Sequence, residues 1–494
     1  MIIIEKNAYE EIKYFMYDLI VIGDDFSSYI AAAVASHYGL STVHIAQNDS
    51  SVKNTIGGYA FNIDSTLLTG FAANQIGLSL FTELNIPLTE QESSLLNPAY
   101  QIILPEHRID FFNDKDSLVG EIIREFPEMS EEIKYFYDAV SKNSAAFIKW
   151  LHGHPFIQPK SIKDYYNYLK FIPLLIKFNF DAKKFERTIF RNPSFRKILE
   201  AQYVLLSCAK EGYNSFISHF HYSAPLRGVY HFPQARQTLF TLFTKKLQAA
   251  AGLYLDNNRF ITIKKGKIIE AEVENNAGTI STISAKYMII STKSEEMCFY
   301  LKGKKKINIA KLTKPVKISH YPFTIHLGIP QKCLPEKMVR HAAVISSVDK
   351  DIYDNNLILL ELNNSPGEKK GSADKKLLTA TVFLPNESTV WSKEILAVQA
   401  QSIIERLEFF LPFLKENIKF MDIDKSIDIS IKYRNIVNPK YMLKKSFLTG
   451  FCAKKNKVGR NIFLTGASLL TDAGTDGEIL SGMLAVYRVL DKRK

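Results

Sequence analysis

The segment YDLIVIGDDFSSYIAAAVASHYGLSTVHIAQND, Tyr17 to Asp49, constrains this chain more than any other. Leu19 to Ile22 is a short apolar run that stops at Gly23. An alanine-rich stretch follows from Tyr29 to Ser36, Gly39 closes it, and the β-branched run Thr42 to Ile45 comes at once. Strands covered on both faces read as continuous apolar runs, and about three helical turns return a chain to the neighbouring strand. The pattern predicts the opening βαβ unit of a Rossmann-like domain. In a dinucleotide site the turn of this unit reads G-x-G-x-x-G. The first glycine makes the tight turn, the second lets a pyrophosphate approach the backbone, and the third lets helix pack on strand. Here Gly23 is kept, while Asp25 and Ser28 hold the second and third places. A carboxyl near the end of the second strand binds ribose hydroxyls in such sites; that place is Ala46, with Gln47 beside it.

The substitution has an energetic consequence. Two like charges about 4 Å apart cost on the order of 4 kcal/mol at an effective dielectric of about 20, which is nearly three decades of affinity. Asp25, Ser27 or Ser28 can instead accept hydrogen bonds from the free amides at the helix start, so that the protein fills its own anion site.

Near the C-terminus, Arg460 to Leu490 (RNIFLTGASLLTDAGTDGEILSGMLAVYRVL) reads as an apolar strand, a Gly/Asp/Thr-rich loop and a helix with small residues on one face. Together with the opening unit and Arg259 to Thr292, this resembles the flavoprotein family of phytoene desaturases, carotenoid isomerases and amine oxidases. The resemblance implies that the chain's end returns to the first domain beside a flavin, with Gly466, Gly474, Gly477, Ser481 and Gly482 on matching places. The family's aspartate after the Gly466 position is Ala467. GYAFNIDSTLLTG, Gly58 to Gly70, is similar to the family's GFxFDxGPxxxTG, with Asn62, Asp64 and Ser65 replacing Asp, Gly and Pro. The family's Gly-Gly-Arg loop is the polar run Asp49 to Lys53, and YHFPQAR, Tyr230 to Arg236, resembles a YYPKGG segment without either glycine. The resemblance implies FAD as cofactor, yet the contacting residues are replaced at five separate places. Rab GDP-dissociation inhibitors and escort proteins show, by analogy, that such a fold can lose its flavin and act as a lipid-binding partner.

The fold expected is therefore α/β: a discontinuous Rossmann-like FAD/NAD(P)-binding-type domain from residues 1–95, 223–303 and 445–494, with an interleaved α+β substrate or partner domain from 96–222 and 304–444. The insertion 96–222 reads as largely helical and rich in Phe and Tyr. Phe260 to Ile263 and Lys267 to Val273 flank Gly266 as a hairpin, Tyr287 to Ile290 is a buried strand, and Ile395 to Phe410 is a helix by its periodic apolar residues. Asn363 to Lys376, polar and Pro/Gly-containing, reads as a surface loop.

At 494 residues the chain exceeds one core. Its net charge of +12 is compatible with an anionic membrane surface or an acidic partner. No nucleic-acid module is present, and Lys302 to Lys306, Lys454 to Arg460 and Lys492 to Lys494 read as solvated loops or tails. Cys208, Cys298, Cys333 and Cys452 form no CxxC pair, which fits a reducing compartment. With no signal peptide and no run of about 18 apolar residues, the expected location is cytoplasmic, with a peripheral membrane contact near Tyr165 to Phe180. That segment, YYNYLKFIPLLIKFNF, is apolar with interspersed cations and is followed by Lys183, Lys184, Arg187 and Arg191. The alternative is a core helix kinked at Pro173.

No metal set and no catalytic residue is assigned. His219 and His221, like His152 and His154, are spaced to share one face of a strand, and packing or surface roles are favoured over metal binding. Ser207-Cys208 lies in an apolar run, where a thiol is inert. There is no GxSxG, P-loop or HExxH. Three functions stay open. The first is a flavin-free or weakly flavin-binding relative that binds an apolar, isoprenoid-like ligand or lipid, or partners an active paralogue. The second is an active FAD-dependent oxidoreductase or isomerase on a long apolar substrate, with Arg227, Arg236 or Lys53 neutralising the pyrophosphate. The third is a redox-silent scaffold or assembly protein.

Overall fold

The computed structural model describes residues 15–47, 55–56, 58–64, 66–88, 93–153, 162, 166, 169–170, 172–291, 316–364, 375–434, 437–443 and 460–493. The run Asp49 to Lys53, His154, Tyr165, Cys298, Cys452, the 302–306 lysines, all of the 454–460 cluster but Arg460, and most of the 363–376 loop lie outside the described residues.

The apolar run around Leu19 becomes strand β1 (Met16–Ile22), in which Leu19 through Ile22 are fully buried. Helix α1 (Phe26–His37) follows, then β2 (Thr42–Ile45). Further along come helix α2 (Arg236–Ala249) and strands β3 (Leu253–Leu255), β4 (Arg259–Lys265), β5 (Ile269–Glu274) and β6 (Ile280–Ser291). Strand β7 (Ile462–Thr465) and helix α3 (Gly474–Arg493) close the chain. The sheet order is β3-β2-β1-β6-β5-β4, with β7 also on β6. Strands β3, β2, β1, β6 and β7 run parallel, and β4-β5-β6 is an antiparallel meander.

Strand β6 is long because it does two things. Its first half, Ile280 to Ala285, pairs with β5, and its second half, Met288 to Ser291, pairs with β7 along the same edge. Its central position explains the unbroken apolar run, since both faces are covered. Helix α1 is buried at every residue from Phe26 to Ser36, because it is enclosed by the sheet, α2 and α3. The alanines permit that enclosure. Gly482 brings α3 still closer, as a Cβ there would lie 2.6 Å from the Ser27 carbonyl oxygen.

The second sheet draws on distant segments, in the order Phe420–Met421, Val316–Pro330, Lys375–Pro385, Leu357–Asn364, His341–Ile345, Tyr100–Ile103, Arg108–Phe111, with Lys440–Leu443 on the start of Val316–Pro330. The 96–222 insertion thus opens on a hairpin before it becomes helical. Alternation sorts the faces: Ala342 and Val344 pack under helices Lys393–Phe410 and Ile423–Lys432, whereas Ala343 and Ile345 face helices Ser130–Gly153 and Pro193–Leu206. A three-stranded sheet, Leu68–Thr69, Val229–His231 and Ser94–Leu95, lies between the two large ones in sequence. Pro173 makes no kink; it sits in the first turn of helix Ile172–Arg187, where its missing N–H is harmless. Among the described residues no helix is long and apolar enough to cross a membrane.

Two glycines of opposite character test this packing. Gly482→Ala forces α3 off the α1 backbone and should destabilise by about 1–3 kcal/mol. Gly120→Ala, in helix Lys115–Glu125 with open space around it, should stabilise by about 1 kcal/mol. Urea denaturation of both variants checks the opposite signs.

Candidate functional site

Parallel strands β1, β2, β6 and β7 end in register: Ile22 pairs with Ile45 and Ile290, and Ser291 pairs with Thr465. Gly23, Ala46 and Gly466 follow these ends, so the sequence motifs converge on one edge. Ligands of open α/β sheets bind at this carboxyl edge.

Gly23 has φ +150°, and a Cβ there would lie 2.4 Å from Ser291 Cβ. The tight turn is kept and is needed. Asp25 is the N-cap of α1: Oδ1 accepts from the Ser28 amide (3.1 Å) and Ser27 Oγ (3.0 Å), while Oδ2 accepts from Ser291 Oγ (2.6 Å). It is only 3% exposed. Ser28, in the third glycine's place, turns its hydroxyl back to the Asp25 carbonyl (2.7 Å). Asp24 accepts from the Gln47 amide (2.7 Å). Ala46 is closed by backbone bonds to Leu255 and Asn258, and His44 Nε2 bonds the Gly23 carbonyl (2.9 Å).

The C-terminal motif is equally engaged. The Gly466 amide donates to Ser481 Oγ (3.0 Å), and Ala467 is buried where the family carries a carboxylate. Gly474 has φ +56°, and a Cβ would lie 2.0 Å from the Leu206 carbonyl oxygen; at Gly477 it would lie 2.5 Å from that of Leu470. These glycines let the chain pack on itself.

Both described arginines considered as phosphate partners are held by this chain's own carboxylates. Arg236 pairs with Glu478 (2.7 Å) and Asp64 (3.1 Å). Burial works to lower its pKa, but Glu478 and Asp64 carry it above the ordinary guanidinium value. Burial raises Glu478 despite Arg236, with Asp25 and Asp64 adding to the rise. Arg227 stacks on Phe220 (3.6 Å), donates to Gln75 Oε1 (3.0 Å) and lies 3.6 Å from Asp476, which also accepts from Thr69 Oγ1 (2.7 Å). Before Arg236, Ala235 adopts φ +48°, ψ −124°. That conformation is natural to glycine and costs an alanine about 1–3 kcal/mol.

Among the described residues this edge does not fit a dinucleotide. The Ser28 amide at the start of α1 is taken by Asp25, Arg227 and Arg236 are held by carboxylates, and the Ala46 side chain offers nothing to ribose hydroxyls.

Toward the second sheet lies a cavity of about 40 Å³, bordered by Asp64, Leu206, Cys208, Phe383 and Lys440. It has room for about one water. Lys440 is buried and donates to the carbonyls of Val204 (2.5 Å) and Ser207 (2.6 Å), and burial pushes its pKa down to about 8. Burial pushes the Cys208 thiol up to about 12, which keeps it unreactive. Sequence reading passed over Glu478, Asp476 and Lys440; only their rarity as charges in apolar runs could have marked them.

His219 and His221 are not on a strand. They lie on helix Phe216–Tyr222, where residues two apart do not share a face. His219 Nδ1 meets Asn143 Nδ2 (3.1 Å), and His221 Nε2 bonds the Asp472 carbonyl. Both are packing residues.

No family model and no curated protein matches this sequence. Solved structures do match along nearly the whole chain. Cyclohexylamine oxidase from Brevibacterium oxydans superposes with TM-score 0.58 at 11% identity, covering 97% of this chain and 100% of its own. Putrescine oxidase bound to putrescine gives 0.59 at 13%, covering 97% and 99%. An oxidoreductase from Methanosarcina mazei gives 0.53 at 12%, covering 96% and 100%. The chain has the amine-oxidase type of flavoprotein fold, and identities this low carry nothing finer.

Buried neutral histidines give the fold a pH signature. Burial lowers His44 and His326 to about 4 and His219 and His221 to about 3. The unfolded chain takes up these protons near pH 6.5. Stability should be full above about pH 6.5 and fall as pH drops toward 4, by on the order of 1 kcal/mol per histidine per pH unit. Urea midpoints across this range check it.

Proposed function

We propose that this protein uses the flavoprotein fold without the flavin, and that it acts by binding at a lipid surface, to an apolar ligand or a partner protein, rather than by redox chemistry. The observation that carries the reading is the Asp25 carboxylate, which takes the Ser28 amide at the start of α1 and the Ser291 hydroxyl. An anion is welcome at a helix N-terminus because of its free amides and dipole. Asp25 supplies that anion covalently.

The surface in question is the row from Ile162 to Arg187. Ile162 is 91% and Phe180 71% exposed, with Tyr166, Leu169 and Ile176 also exposed. Lys170, Lys177, Lys183, Lys184 and Arg187 are exposed among them. Apolar side chains ringed by cations suit the headgroup layer of an anionic bilayer, where lysine stems snorkel. This row is where membrane contact was expected from sequence.

Two measurements test the reading. The natively purified protein should be colourless, release no flavin on denaturation and not bind added FAD; Asp25→Gly combined with Ala46→Glu should raise FAD affinity at least tenfold. Stoichiometric flavin in the native protein would sink the proposal in favour of an oxidoreductase acting on an apolar substrate.

Separately, co-sedimentation with phosphatidylserine-containing vesicles should exceed that with neutral ones. Ile176→Glu with Phe180→Glu should weaken it tenfold or more, given about 1.5–3 kcal/mol for each large apolar side chain buried. Equal binding by the double variant would remove this face from the account.

A further inference from the structure

Away from the dinucleotide edge, three side chains from remote segments meet. His341 begins strand His341–Ile345, and Glu361 is its direct partner in the antiparallel strand Leu357–Asn364. Directly paired residues present their side chains on the same face. His231 arrives from a different sheet, as the last residue of strand Val229–His231. One ligand-capable atom of each lies within 4.8 Å of the other two.

The carboxylate is the telling member. Glu361 is 1% exposed; its Oε1 accepts from Asn62 Nδ2 (2.6 Å), and its Oε2 makes no hydrogen bond of good geometry among the described residues, although the Asn363 side chain lies beside the carboxylate. Buried carboxylate oxygens are ordinarily paired, and one that is not calls for a specific explanation. His341 is buried beside it and His231 is half-buried, which leaves one side of the group nearer to solvent.

We propose that His231, His341 and Glu361 form a binding site for a divalent first-row transition-metal ion, with Zn²⁺ the foremost occupant. Two imidazoles and one carboxylate are a donor set that such ions accept, leaving a coordination position for water or another ligand. Small side-chain rotations bring atoms at this separation to the ~2.0–2.2 Å ligand distances of zinc. A bound cation would give Glu361 Oε2 a direct partner. Arg340, the nearby cation, donates to Asn363 Oδ1 (2.6 Å).

Asn62 fits the same assignment. An amide there donates to Glu361 and orients it, as outer partners of metal ligands do.

The test uses the full-length protein, stripped with a chelator and titrated with ZnCl₂ by calorimetry, with Co²⁺ as a spectroscopic probe. The proposal expects one equivalent bound with micromolar or tighter Kd, a rise in Tm, and visible Co²⁺ d–d absorption. Glu361→Gln keeps the side-chain shape and the bond from Asn62, and His231→Gln changes a half-buried position; each should weaken Zn²⁺ at least tenfold and abolish the Co²⁺ bands. His107→Gln, remote from the triad in sequence, should change neither. Absence of saturable binding by the wild type up to millimolar Zn²⁺, or binding equally tight in the variants, overturns it. If Glu361→Gln does not fold, His231→Gln decides.

Discussion

The carboxylate of Asp25 is the interaction on which this architecture turns. It accepts from the start of α1 and from Ser291 at the end of β6, and so joins the first helix to the strand that connects the parallel and antiparallel halves of the sheet. A buried carboxylate is tolerable only when hydrogen bonded, and here three donors from the chain itself do this. Asp25 is thus an internal fastening between α1 and β6.

The rest of the edge is fastened in the same way. Arg236 lies between Asp64 and Glu478, and Arg227 lies between Gln75 and Asp476. Burying such charges is costly unless each has its counter-charge, and removing one partner strands the other. The network therefore holds α3, the start of α2 and the 58–70 segment together as one unit. Gly474, Gly477 and Gly482 let backbones approach within that unit.

Ala235 points the same way. Its glycine-like backbone is strained for a side chain, so the surrounding contacts fix the turn whatever residue occupies it. The fold of the amine-oxidase type is retained over 97% of the chain at 11–14% identity, because packing constraints of this kind preserve backbone geometry while side-chain chemistry changes.

The sequence by itself determined the β1-α1-β2 opening, the β4-β5 hairpin and the Lys393–Phe410 helix, because apolar periodicity and glycine placement are local signals. It also placed Asp25 at a helix start, where capping is a local matter. Tertiary structure alone decided which way Asp24 and Asp25 point, which carboxylates hold Arg227 and Arg236, and that Tyr100–Ile103 joins a sheet made mainly from residues beyond 315. It alone turned His219 and His221 into packing residues on a helix and brought His231, His341 and Glu361 within reach of one another. Most of these outcomes depend on contacts between segments separate in sequence, and no short-range pattern encodes which of their side chains will share a buried face.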